Sequence, residues 1–249
     1  MKGLFIGDDI QCYTQACELS LQVNFTMVEK PLTKVIVNLC ADEFHSTWLG
    51  NKAIYRTRMA IATGGSLIIL APGIQKFGED NECDKLIRKY GYSGTPKIMK
   101  YMSENRELQE NLSAVAHLIH GSTEGRFEVT YCTPNLSSAL VESVGFMFGD
   151  LPQTLSIYEV ETLVDGMNNI NGEDIFYISN PALGLWAHES RLADSPQVQQ
   201  DEEKLLPTSG NPLGKRMAES DMDVEQVVSS GSTGSSGGVG GWANKKAKI

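Results

Sequence analysis

Short apolar runs alternate with amphipathic stretches over the first three quarters of the chain. The runs KVIVNLC, SLIIL and FEVTYC are continuous and rich in branched side chains, which is typical of strands covered on both faces. Further strands are predicted at VGFMF and DIFYISN. Helical spacing of apolar residues predicts helices in between, at residues 11–23, 48–62, 82–90, 95–102, 108–120, from Ser137 and at 158–164. This order predicts an α/β fold of three layers, a mostly parallel sheet covered by helices.

The pattern changes near residue 188. The segment 189–249 contains one aromatic residue, Trp242, and no run able to bury enough apolar surface to offset its ordering entropy. Its SSGSTGSSGGVGG stretch has the composition of a flexible linker, and its KKAKI end is interpreted as a solvated terminus. We therefore predict one α/β domain over residues 1–188 and a disordered tail over residues 189–249.

Composition narrows the class of protein. The chain has 249 residues, 41% of them apolar, and a formal net charge of -10, which argues against a nucleic-acid partner. The five cysteines lack paired or zinc-type spacing, and no apolar run reaches the roughly 18 to 20 residues that span a bilayer. A cytoplasmic protein without a membrane partner is expected. A small anionic substrate remains compatible with the charge, because a pocket needs only a local cation.

The predicted helix at residues 48–62 has two distinct faces. It follows the loop 41–47 at the carboxyl end of a strand, where α/β proteins bind ligands. On a helical wheel its inner, sheet-packing stripe comprises Leu49, Ala53, Ile54, Ala60 and Ile61. The second face comprises Trp48, Lys52, Tyr55 and Met59, with Arg56 at its margin. This face is either a solvated surface or one wall of an anion pocket.

Three other motifs carry weaker signals. HLIHG places His117 and His120 on one helix face. There the two histidines either bind a metal ion together or interact with the helix dipole. GSTEGRF, residues 121–127, contains phosphate-binding residue types but lacks the P-loop lysine and spacing. FGED offers neighbouring acids, which are more often helix caps than catalysts.

A set of separated blocks gives the clearest indication. The run VNLCADEFHSTWLGNKAIYRTRMAIATGGSLIILAPGIQKFGED, followed by LIRKYGYSGTPKIM, NLSAVAHLIHGSTEGRFEVTYCTP and NPALGLWAH, resembles the carboxyl-terminal domain of the nickel-pincer lactate racemase family. The resemblance covers roughly residues 3–188 and leaves out the tail.

The resemblance implies an isomerase that inverts a 2-hydroxy acid or sugar acid, with a nickel pincer nucleotide as hydride acceptor. In that family the residues that anchor the pincer and the catalytic histidines lie in an amino-terminal domain, which this sequence lacks. The family's carboxyl-terminal domain contributes a tyrosine, a glutamine and a lysine to the substrate site. By distance from Gly64-Gly65 these fall on Trp48, Leu49 and Lys52, so only the lysine is kept. Tyr55 and Arg56 are included in this candidate site because of their positions on the helical wheel, not because of the resemblance.

Three hypotheses follow. The first is a carboxyl-terminal racemase or epimerase domain that works with a missing amino-terminal domain or separate chain and is inactive when isolated. The second is a non-catalytic α/β module. The third, a class I methyltransferase, is suggested by the helix, Gly-Gly turn and strand of ATGGSLIIL, although KVIVNLCADEF lacks the glycine-rich loop that this cofactor needs.

Overall fold

The computed structural model describes residues 1–193, which form helices around two sheets. The α-helices are α1 Ile10–Asn24, α2 Thr47–Gly50, α3 Lys52–Thr57, α4 Asn81–Tyr90, α5 Thr95–Glu104, α6 Arg106–Gln109, α7 Leu112–His120, α8 Ser138–Ser143, α9 Leu151–Ile157 and α10 Glu189–Ala193. The strands are β1 Thr26–Met27, β2 Leu32–Asn38, β3 Ile61–Leu70, β4 Glu128–Cys132, β5 Met147–Gly149, β6 Gly166–Ile170, β7 Glu173–Ile178 and β8 Trp186–Ala187. Two short 3-10 helices lie at Val160–Thr162 and Pro181–Leu183.

The main sheet has six strands in the order β5-β4-β3-β2-β7-β6. Every neighbouring pair is parallel except β6 with β7, which is antiparallel. The predicted α/β class with a mostly parallel sheet is therefore confirmed. The carboxyl ends of β2, β3 and β4 lie at one edge of this sheet, so the loops after them are neighbours.

Both faces of the sheet carry buried apolar side chains. Val35 and Val37 of β2 point into the larger core, which also holds Ile54 of α3. Ile36, between them in sequence, belongs to a smaller cluster on the other face with Leu151 of α9. Alternation along a strand explains this division, since successive side chains point to opposite faces.

The predicted helix at residues 48–62 was wrong in its extent. It is two short helices, α2 and α3, joined at Asn51, and β3 already begins at Ile61. Leu32 of β2 pairs with Ile61 of β3. Lys34, two residues further along β2, pairs with Ser66, which is five residues further along β3. Residues 62–65 therefore form an excursion from the strand ladder. Gly64 sits in it at φ +79°, a conformation that favours glycine.

Other differences are smaller. The predicted helix 108–120 is divided into α6 and α7, and the one predicted at 158–164 is displaced to α9 and a 3-10 turn. The strand β6 was not predicted. Residues 189–193 form α10, five residues beyond the predicted domain boundary, and the rest of the predicted disordered tail lies outside the described residues.

The second sheet pairs β1, which follows α1, with β8, which precedes α10. Thr26 of β1 pairs in parallel with Trp186 of β8, and the Thr26 N–H donates to Leu185 O at 2.8 Å. The preceding helix α1, capped by Asp9, contains no buried residue. Within residues 1–193 no helix combines the length and apolar character needed to cross a membrane.

Candidate functional site

The segment α2–α3 leads from the carboxyl edge of the sheet, after β2, back to the start of β3. Ser46 caps α2 by accepting the Leu49 N–H at 3.2 Å and donates its own hydroxyl to Glu79. Thr47 and Trp48 N–H groups donate to the carbonyls of Lys76 and Phe77, in the loop after β3. The start of the segment is thus fixed against the carboxyl-edge loop that follows β3.

The aromatic residues of the segment face α7. Trp48 stacks on His117 with ring centroids 4.2 Å apart and planes 21° from parallel. Seven residues further on, Tyr55 meets His120 with ring centroids 6.4 Å apart. We call these four residues, together with Tyr92, which contacts the ring of His117, the aromatic side of α2–α3. They form a contact between helices rather than an open wall.

A hydrogen-bonded chain lies beneath Trp48. Tyr92 Oη is 2.8 Å from His117 Nε2 and 2.9 Å from Thr47 Oγ1, which is 3.1 Å from Phe77 O. Each hydroxyl has one proton, so all three bonds form together only if Thr47 donates to the carbonyl, Tyr92 to Thr47, and His117 Nε2–H to Tyr92. The geometry therefore places a proton on Nε2 of His117.

The pKa of His117 indicates in addition that the ring is neutral. Burial lowers the pKa of His117 to about 4, with a smaller contribution from the charge of His120. Burial likewise raises the pKa of Tyr92 and that of Tyr55, the latter against the opposing effect of Arg56. At neutral pH the aromatic side therefore carries no charge on His117, Tyr92 or Tyr55.

Asn51, at the junction of α2 and α3, holds the segment to the sheet. Tyr131 of β4 donates its hydroxyl to Asn51 Oδ1 at 2.6 Å, and both residues are buried. A Cβ placed on Gly121 would lie 2.5 Å from Asn51 Nδ2, so glycine permits the close approach of the end of α7. Asn51 Nδ2 finds no acceptor within the described residues.

The cationic residues of the segment face elsewhere. Lys52 Nζ lies 5.7 Å from the ring centre of Phe44, in the loop after β2. The five ion pairs of residues 1–193 leave Lys52 out, and it is only half-buried. Arg56 donates from Nη1 to Gly184 O at 3.2 Å, beside the 3-10 helix Pro181–Leu183. We call Lys52 and Arg56 the cationic side of α2–α3.

The structure thus divides the five candidate residues. Trp48 and Tyr55 belong to the aromatic side, Lys52 and Arg56 to the cationic side, and Leu49 packs half-buried against the core. Their roles in binding or catalysis stay predictions. His117 and Tyr92 were not among the candidates, although HLIHG marks His117 in the sequence.

The other motifs have structural roles. Asp80 of FGED caps α4 by accepting the Cys83 N–H at 2.7 Å, as expected for acids before a helix. That bond is the main reason that the pKa of Asp80 is lowered. The described part of the chain brings no three His, Cys, Asp or Glu side chains together as metal ligands.

Comparisons with known proteins show similarity of fold only. Neither a protein-family model nor a curated protein matches the chain. A crystal structure of a protein from Thermotoga maritima is similar with a TM-score of 0.54 and 21% identity, over 72% of this chain and 42% of that one. The lactate racemase apoprotein from Thermoanaerobacterium thermosaccharolyticum is similar with a TM-score of 0.46 and 16% identity, over 71% of this chain and 40% of that one. This chain therefore spans about two fifths of either neighbour, and with the first it shares an α/β fold.

Proposed function

We propose that the α/β domain is the substrate-binding part of a racemase or epimerase that acts on a 2-hydroxy acid or sugar acid. In this proposal it works with a separate amino-terminal part, supplied by another domain or chain, which holds the nickel pincer and the catalytic histidines. The pincer would accept and return a hydride when bound there. The residues of this chain bind and orient the acid.

The observation that supports the proposal is the position of Lys52. The resemblance to the lactate racemase family keeps a lysine here, and the structure sets it at the start of α3 beside Phe44 of the carboxyl-edge loop. This is the edge of the sheet at which α/β proteins bind ligands. Lys52 has no carboxylate partner within residues 1–193, so its ammonium group is available to a substrate carboxylate.

The neighbouring residues suggest how the acid would be oriented. Arg56 uses one guanidinium N–H on Gly184 O and keeps further donors for a hydroxyl or carboxylate. Tyr55 lies against His120 on the aromatic side, so its part in binding the acid rests on the helical wheel alone. Trp48 and Leu49 stand where the lactate pattern has a tyrosine and a glutamine, so we expect a specificity that differs from that for lactate.

A reconstitution experiment tests this function. The chain is mixed with the amino-terminal domain of a close relative and the pincer nucleotide, and epimerisation of a panel of 2-hydroxy acids is followed. We expect activity in the mixture and none in the chain alone. Inactivity of every mixture, with a pincer-loaded partner shown to bind the chain, would overturn the proposal in favour of a non-catalytic module.

Variants locate the site within the active mixture. Lys52→Ala removes a charge-assisted contact and is expected to lower kcat/KM by about 10- to 100-fold. Lys100→Ala is the matched control, because Lys100 is exposed on α5 and at 4.0 Å from Glu104. Equal kinetics for the two variants would remove Lys52 from the site. Saturable binding of S-adenosylmethionine to the chain would instead favour the methyltransferase alternative.

A further inference from the structure

Three arginines from three elements meet around the excursion at residues 62–65. Arg58 ends α3, Arg126 precedes β4, and Arg191 lies in α10. Arg126 donates from Nη2 to Arg58 O at 2.7 Å and from Nη1 to Ile61 O at 3.4 Å. Arg191 donates from Nη2 to Thr63 Oγ1 at 2.6 Å. We call Arg58, Arg126 and Arg191 the arginine cluster.

The charge of the arginine cluster is not neutralised by these contacts. The acceptors are two carbonyls and a hydroxyl, which satisfy N–H groups but carry no net charge. The five ion pairs within residues 1–193 involve other cations, those of Lys34, Arg88, Lys89, Lys100 and Arg106. Such a cluster is unexpected in a chain with a formal net charge of -10.

Glu124 contributes the nearby negative charge but is engaged elsewhere. Its carboxylate accepts from Thr95 N at 3.1 Å, from Thr95 Oγ1 at 2.8 Å and from Ser122 Oγ at 2.7 Å, at the start of α5. Burial raises its pKa, but these hydrogen bonds prevail and the pKa is lowered, so the group is ionised. One carboxylate held by α5 leaves the cluster with an excess of positive charge.

The neighbouring guanidinium charges act on Arg126. Burial lowers the pKa of Arg126, and the charges of Arg191 and Arg58 lower it further. An anion bound beside Arg126 would offset this repulsion, and the three side chains are half-exposed. There is also room, since Gly64 is exposed and a Cβ built on it meets no atom within 4 Å.

We propose that the arginine cluster binds a phosphate-type oxyanion, as inorganic phosphate or as the phosphate group of a larger molecule. Guanidinium groups match the geometry of phosphate oxygens with paired N–H donors. The site lies where β3 and β4 begin, at the edge of the sheet opposite to Lys52. It is therefore separate from the proposed substrate site and does not depend on the proposed function.

The GSTEGRF turn contributes differently from what its composition suggests. The Ser122 hydroxyl donates to Glu124, and Thr123 Oγ1 accepts from Gly125 N at 3.3 Å. The Ser122 proton is thus used, whereas Thr123 keeps its hydroxyl proton. Arg126 is the charged donor of the turn for the proposed anion.

The test is a phosphate titration of the full chain at constant ionic strength, followed by calorimetry and by the NMR signals of the arginine Nε–H groups. We expect saturable binding that shifts the signals of the arginine cluster. Citrate is titrated in parallel. Saturable binding of citrate but not phosphate would show a carboxylate site and overturn the proposal, as would no saturable response to phosphate.

Two variants and a control assign the binding to the cluster. Arg58→Gln and Arg191→Gln each remove one charge without removing the carbonyl contacts of Arg126, and each is expected to weaken phosphate binding about tenfold. Arg106→Gln removes an exposed guanidinium on α6 and should leave it unchanged. Equal affinity in all three variants, with unaltered circular dichroism, would place the phosphate elsewhere and refute the assignment.

Discussion

The two sides of α2–α3 hold neighbouring residues but differ in how they are partnered. On the aromatic side Trp48 and Tyr55 contact histidines of α7, above a hydrogen-bonded chain that ends at a backbone carbonyl. On the cationic side Lys52 contacts a ring face and Arg56 a single carbonyl. Adjacent residues such as Tyr55 and Arg56 thus have different kinds of partner. The contribution of this segment to stability and its proposed role in ligand binding can therefore be tested on separate residues.

The largest effect is expected from Tyr92 on the aromatic side. Tyr92→Ala removes a buried ring that also packs on Phe146, with centroids 4.7 Å apart. We expect a loss of about 3–5 kcal/mol in the free energy of unfolding, measured by urea denaturation. Tyr92→Phe keeps the ring and loses only the hydroxyl, so its loss should be smaller. Equal losses would contradict the importance assigned to ring burial.

Acid should weaken the aromatic side through His117. Its pKa is about 4 in the folded chain against an ordinary value of 6.5, so the unfolded chain binds a proton first as the pH falls. The resulting loss of stability begins below pH 6.5 and is complete below about pH 4, and it amounts to on the order of 3 kcal/mol.

Unfolding free energies across this range provide the measurement. His117→Gln should remove most of this pH dependence, whereas His120→Gln, at an exposed position, should keep it. The same slope in the His117 variant and the wild type would show that another group causes the acid sensitivity.

Tyr131 should have an intermediate effect. Tyr131→Phe leaves the buried Oδ1 of Asn51 without the donor that lies 2.6 Å from it. A loss of about 1–3 kcal/mol in unfolding free energy is expected, the desolvation penalty of one unsatisfied polar group. Tyr101→Phe is a suitable control, since Tyr101 is only half-buried on α5. A neutral result at Tyr131 would mean that Asn51 finds another donor.

The smallest stability effect is expected on the cationic side. Lys52→Ala should change the unfolding free energy by about 0.5 kcal/mol or less, because no ion pair is lost. Thermal unfolding of this variant, measured in parallel with that of the Tyr92 variants, checks this. A loss as large as that of Tyr131→Phe would make Lys52 a structural residue and abolish the difference between the two sides.

The sequence predicted elements well where local signals and burial agree. The apolar runs of β2 and β4 lie close to their predicted positions, and α4 begins after Asp80 and ends before Gly91, as cap residues indicate. The strand β6 was missed because Gly166–Ile170 contains two asparagines and lies at the sheet edge. Its pairing with β7 depends on a partner strand, not on its own composition.

The site was harder to predict than the fold. The wheel placed Trp48, Lys52 and Tyr55 on one face because it assumed an unbroken helix, but the chain turns at Asn51. The stack of Trp48 on His117 joins residues far apart in sequence, so no local pattern contains it. The arginine cluster was missed for the same reason, as Arg191 reaches Thr63 from the segment predicted to be disordered.

The pairing of β1 with β8 means that the segment holding the main sheet, residues 28–185, begins and ends at adjacent positions. Strand β8 is also bridged to Met59, whose carbonyl accepts the His188 N–H at 3.0 Å. A unit with adjacent ends tolerates insertion into a longer polypeptide, or circular permutation, with little rearrangement of the sheet between those ends.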